Sequence, residues 1–138
     1  MKIGFLGDFL PSKIDSNLDM NNNLIQDFKK SSILQVLHDN DFNIANLECP
    51  ITNSNNFIKK TGKNIKCSTK SIDLIKAAHL THLSGANNHI KDYGSEGIKD
   101  TMQICKNNSI EFFGAGVSNE EFFKSVIIKS DDVKVGVV

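Results

Sequence analysis

An α/β fold with a mostly parallel sheet and flanking helices is predicted by two observations on the 138-residue sequence. Apolar segments of strand-like period alternate with segments of helical period, the pattern of successive βαβ units. Three strand-like segments each run straight into a polar cluster: residues 2–7 deliver Asp8, residues 42–47 deliver Glu48, and residues 80–86 deliver Asn87, Asn88 and His89. In an open parallel sheet the carboxyl ends of the strands share one edge, and ligands bind in the crevice there.

The elements follow in order. After the first strand, residues 9–23 are polar and Asn-rich (Asn17, Asn21, Asn22, Asn23) and read as a loop. Ser31 or Ser32 caps a helix carrying Ile33, Leu34, Val36 and Leu37. Strand 42–47 comes next, then a second polar loop over 52–70 with little periodicity. Ser71 is expected to cap a short helix that places Ile72, Ile75 and Ala78 on one side and Asp73 in the favourable first turn. Strand 80–85 follows it.

The clearest helix begins at Ser95, where Ile98, Met102 and Cys105 fall at i, i+4 and i+7, and it ends at Asn107-Asn108. Residues 110–113 form a strand ending at Gly114-Ala115-Gly116. A short turn capped by Asn119 leads to strand 126–128, and a tight turn at Ser130-Asp131-Asp132 makes an antiparallel hairpin with 133–138. The chain stops inside that apolar run, which points to the N-terminal part of a longer fold, one domain over 1–138 with its C-terminal portion missing.

Sixteen basic and sixteen acidic side chains cancel, so the chain lacks the general positive field of a nucleic-acid binder. No apolar run approaches the roughly 20 residues that span a bilayer, so no membrane segment is expected. Met1 stands almost on the first strand, with no room for a signal peptide, and a cytoplasmic location is expected. Three cysteines (Cys49, Cys67, Cys105) form no Cys-x-x-Cys pair, and an odd number cannot all pair within the chain. Reduced thiols acting as small apolar residues are the simplest account. Between Glu48 and Asp73 there are no acids, while Lys59, Lys60, Lys63, Lys66 and Lys70 are present. That run is either a solvated loop or a lip that attracts an anionic substrate.

The clusters carry the chemistry. Asp8 is a hard oxygen ligand suited to Mg²⁺ or Mn²⁺ and acceptable to zinc or iron, and Gly7 before it permits a sharp turn. Glu48 sits at a strand exit closed by Pro50, where a carboxylate can bridge two cations. Asn88 offers a neutral carbonyl ligand, and His89 can protonate a leaving alkoxide or steady a phosphoryl oxygen. Asp92, three residues on, can accept a hydrogen bond from the imidazole and fix its tautomer. His79 and His82 straddle a helix-to-strand junction and do not read as a metal pair. Gly114-Ala115-Gly116 lacks the third glycine of a dinucleotide-binding turn.

The stretches 3–8, 44–52 and 86–97 resemble the bacterial capsule-synthesis CapA family, which serves in poly-γ-glutamate and capsule biosynthesis. The specific part is the Asn87-Asn88-His89-x-x-Asp92-x-Gly94 block, and the match continues through Asp100-Thr101 and Phe113-Gly114-Ala115-Gly116. The family looks like a branch of the calcineurin-like metallophosphoesterases, with an α/β sandwich and a two-metal site. By that resemblance the metal ligands would be Asp8, Glu48 and Asn88, with His89 catalytic beside them and Asp92 its partner. The cofactor implied is a divalent metal (Mn, Zn, Fe or Mg), and the partners implied are an anionic substrate or polymer and the capsule or polyglutamate synthase subunits. One departure is Leu10, which stands where those phosphoesterases carry the His of an Asp-x-His motif. Their later histidine motifs would lie beyond Val138, leaving three oxygen ligands for one cation. An assembly component without catalysis, or an inactive fragment, is the alternative reading.

Overall fold

The computed structural model describes residues 1–11, 26 and 28–138. Its centre is a four-stranded sheet of β1 (Ile3–Phe9), β2 (Phe42–Leu47), β3 (His82–Ser84) and β4 (Glu111–Phe113), parallel throughout and ordered β1-β2-β3-β4. Helices α1 (Ser32–His38), α2 (Ser71–Ala77) and α3 (Gly94–Asn107) form the crossovers. A short α4 (Asn119–Phe122) precedes an antiparallel hairpin of β5 (Val126–Ser130) and β6 (Val133–Val137), which is a separate two-stranded sheet. The fold is therefore the α/β class, with the hairpin turning at Asp131, where φ is 48°.

Sequential strand order has a packing consequence. Right-handed crossovers that always step to the next strand keep their helices on one face of the sheet. Leu34 and Leu37 of α1, Ile75 of α2, and Ile98 and Cys105 of α3 accordingly pack with Ala45, Leu47, Leu83 and Phe112 in the larger core. Strand alternation sends Ile44 and Phe113 to the other face, where Val126 and Ile128 of the hairpin cover them. Burying this apolar surface is the main stabilising term, at about 25 cal/mol per Å².

Several boundaries differ from the sequence reading. Ser31 precedes α1 but its hydroxyl donates to the Phe28 carbonyl oxygen (2.6 Å) and caps nothing. Of the four apolar residues that helix carries, Leu34 and Leu37 are buried under the sheet, while Ile33 and Val36 are exposed. Ser71 is already inside α2, after Lys70, and Ser95 is the second residue of α3. The cap of α4 is Ser118, in a reciprocal capping box with Glu121, and Asn119 is the first helical residue. Strand 80–85 shrinks to β3, with Leu80 still donating back to the Ile75 carbonyl oxygen in α2 and Thr81 donating across to that of Asn43 on β2. Gly114 does adopt the left-handed φ of 77° that ends β4, where a side chain would be strained. The Asn-rich stretch from Asn17 to Asn23 lies outside the described residues.

One irregularity decides the site. Phe5 pairs with Ile44 and Asp8 with Asn46, so β1 spends one more residue than β2 between those pairings. Gly7 therefore lies inside the strand at a bulge and not in a terminal turn, and Asp8 itself belongs to β1. Unbroken alternation over the three steps from Phe5 would send Asp8 to the opposite face from Phe5. The bulge restores it to the face of Asn46.

Candidate functional site at the carboxyl ends of the strands

Asn46 joins the two carboxylates. It is the last residue of β2 on its face, a polar residue in an otherwise apolar strand end. Its Nδ2 donates to Asp8 Oδ1 at 2.7 Å and to Glu48 Oε2 at 2.6 Å. Asp8 is exposed and Glu48 half-buried, held by its backbone N–H donating to the Phe9 carbonyl oxygen at 3.2 Å. Behind them Leu47, Cys49 and Pro50 are buried, so the strand end is rigid while its polar groups face out.

Asn87 links this pair to the third cluster. Its side chain donates to Asn46 Oδ1 (2.9 Å) and to the Leu47 carbonyl oxygen (2.8 Å), and accepts from the backbone amides of His89 and Ile90, each at 3.0 Å. Asn88, by contrast, is exposed, and among the described residues no hydrogen bond joins its side chain to Asp8 or Glu48. No group of three or more His, Cys, Asp or Glu side chains that could hold a metal gathers among the described residues.

His89 and Asp92 make the second half of the site. The carboxylate of Asp92 is wholly buried, and its Oδ2 lies 2.8 Å from His89 Nδ1. The same Oδ2 accepts the Ile65 backbone amide at 2.8 Å, and Oδ1 accepts from Lys60. Burial would push the Asp92 carboxyl up. The hydrogen bonds from Lys60, His89 and Ile65, with the Lys60 charge, outweigh it and hold the pKa below the ordinary value. Lys60 Nζ also lies 3.2 Å from His89 Nδ1.

The 52–70 loop thus serves the site. Ile58 donates to the Asp92 carbonyl oxygen at 2.9 Å, so the loop folds around Asp92 from two sides. Lys66 turns inward too, bonding Ser54 and lying 4.8 Å above the Tyr93 ring. Lys59, Lys63 and Lys70 stay exposed. A cavity of about 490 Å³ opens here, lined by Phe57, Lys59, Lys60 and Tyr93 among others. A larger groove of about 1100 Å³ lies at the opposite end of the strands, against Phe42, His82 and Glu111, and touches none of the five candidate residues.

The other sequence features fall away from the site. His79 stacks on His38 at 5.1 Å, while His82 meets Thr81 Oγ1 at 2.8 Å and the edge of Phe42. All three cysteines are buried. Sequence reasoning did not single out Asn46 or Lys60. The parity of Asn46 with Phe42 and Ile44 was a usable signal, whereas nothing local marks Lys60 among its neighbouring lysines.

Residues 2–138 match the family model described as bacterial capsule synthesis protein PGA_cap. The chain is 34% identical over 88 residues to the PGA biosynthesis protein CapA of Bacillus subtilis (strain 168), covering 62% of this chain and 23% of that protein. It is 37% identical over 94 residues to the capsule biosynthesis protein CapA of Bacillus anthracis, covering 65% and 22% respectively. The matched stretch thus spans less than a quarter of either relative.

Proposed function

The chain belongs to the bacterial capsule synthesis protein PGA_cap family, and from that premise we propose that it carries a metal-dependent, hydrolase-type site serving capsule or poly-γ-glutamate biosynthesis. The observation that carries the reading is the meeting of Asp8 and Glu48, from two strands, on a single amide group beside the His89–Asp92 pair. The donor set fits one hard divalent cation: two carboxylates at one strand edge, with the exposed carboxamide of Asn88 in the adjoining loop as a further oxygen. Such a cation, when bound, supplies Lewis acidity and a water of lowered pKa.

The chain's own residues do the rest. Asp92 is the better acceptor for His89 Nδ1, since Lys60 has only donors, so the neutral imidazole holds its proton on Nδ1. That leaves Nε2 to exchange a proton with the reacting oxygen of a phosphate ester or polymer linkage. Lys59 and Lys63, on the rim of the loop, would draw in an anionic substrate. Residence in the cytoplasm is part of the same proposal, supported by an odd number of cysteines with no Cys-x-x-Cys pair among them.

The test uses the chain with Mn²⁺, Zn²⁺ or Mg²⁺ and p-nitrophenyl phosphate esters. A metal-dependent rise in melting temperature and turnover abolished by His89→Ala are expected. Absence of both the thermal shift and the turnover removes the reading. A second reading, a non-catalytic component of a polymer synthase, is favoured by the gathering of no more than two acids among the described residues, and co-purification with a synthase subunit would support it.

A further inference from the structure

Four hydrogen bonds hold the Asn87 carboxamide in one orientation. The Leu47 carbonyl oxygen can only accept, so the group facing it is Nδ2. The backbone amides of His89 and Ile90 can only donate, so the group facing them is Oδ1. The two ends of Asn87 are therefore not interchangeable, although carboxamides generally are hard to orient. The remaining bond then settles Asn46. Asn87 presents Nδ2 to it at 2.9 Å, which requires Asn46 Oδ1 on that side and turns Asn46 Nδ2 to Asp8 and Glu48.

We infer that Asn46 is a positioning residue for the Asp8–Glu48 pair, oriented by Asn87, and that it does not itself ligate a cation. Its carbonyl oxygen is turned away from both carboxylates and engaged by Asn87. Its two N–H donors satisfy one oxygen of each carboxylate, which offsets their mutual repulsion and aims both at one place. Among the described residues no side chain donates to the other oxygen of either acid, which is the one that would face a ligand. The same chain of bonds continues through Asn87 to the His89 backbone, so the carboxylate half and the imidazole half of the site are fixed relative to each other. Donors of this kind, bonded to ligating carboxylates, orient the ligands and tune their affinity.

What the pair grips rests on the metal reading above, but the orientation of Asn46 does not, and the experiment separates the two. In the ¹⁵N-labelled metal-free chain, the two Nδ2 protons of Asn46 are assigned by through-bond correlation to its own backbone. Asp8→Ala should move mainly one of them and Glu48→Ala mainly the other. If neither substitution moves either proton, the positioning role is overturned, whatever the metal result. In a second measurement Mn²⁺ affinity is read by titration, and Asn46→Ala should weaken it by about 10- to 100-fold. Unchanged Mn²⁺ affinity in a folded Asn46→Ala variant also overturns the role. A wild-type chain that binds no Mn²⁺ but shows the two proton shifts upholds the positioning and removes only the metal reading. Should Asn46→Ala fail to fold, the two proton shifts decide alone.

Discussion

Asp92 and His89 form a pair in which the carboxylate is closed off from solvent, the imidazole stays partly exposed, and the two lie 2.8 Å apart at Nδ1. Lys60 reaches the same carboxylate from the middle of the 52–70 loop, in a stretch that is neither helix nor strand. One acid therefore holds the imidazole, the lysine and the Ile65 amide at once. Its removal leaves three donors without their acceptor, which is the situation in which a lost buried partner costs most.

Asp92→Asn should lower stability by about 3 kcal/mol in urea unfolding, because an amide cannot accept from three donors as a carboxylate does. The pH dependence follows from the direction of the shift. The folded carboxyl has a pKa below its unfolded value, so the unfolded state takes up the proton first and acid favours unfolding. The contribution is complete above the unfolded pKa of about 4 and is lost as pH falls through the lower folded value. The stability gap between wild type and Asp92→Asn should narrow only below about pH 4. A gap that closes near neutrality would count against the buried ion-pair account.

Gly85, at the end of β3, has no room for a methyl group. A Cβ there would lie 2.4 Å from Phe112 Cζ and 3.0 Å from Ala115 Cβ. Phe112 is itself buried in the larger core and has little freedom to retreat. Gly85→Ala should destabilise by about 1–3 kcal/mol through overpacking, measured by thermal or urea unfolding.

The lysines of the 52–70 loop divide into two groups with different expected effects. Lys60→Ala should behave as a stability variant, since Lys60 pairs with the buried Asp92. Lys59→Ala combined with Lys63→Ala should leave the melting temperature within about 2 °C, because exposed charges contribute little. Within the hydrolase reading, that double variant should raise KM for an anionic ester several-fold with little change in kcat, and added salt should shrink the difference.

The thiols offer a check on the core. Burial, with the neighbouring Cys67, pushes the Cys105 thiol up to about 12. All three cysteines are buried, so native protein at pH 8 should react with a thiol reagent far more slowly than denatured protein, which should titrate three groups. Fast labelling of the native chain would show that this core opens.

Sequence periodicity by itself established the alternation of strands and helices, the β2 boundaries with Glu48 directly after them, and the hairpin at the end. These are local properties: side-chain spacing along a strand or helix dictates which face meets the core. Helix starts were less legible, because Ser71, Ser95 and Asn119 are all plausible caps in sequence and only the backbone geometry chooses among neighbours. The bulge that turns Asp8 toward Asn46, the amide shared by Asp8 and Glu48, and the reach of Lys60 to Asp92 were settled only in three dimensions. Each joins residues far apart in the chain, and no spacing rule encodes which of several lysines or asparagines a closed core will bring to a given carboxylate.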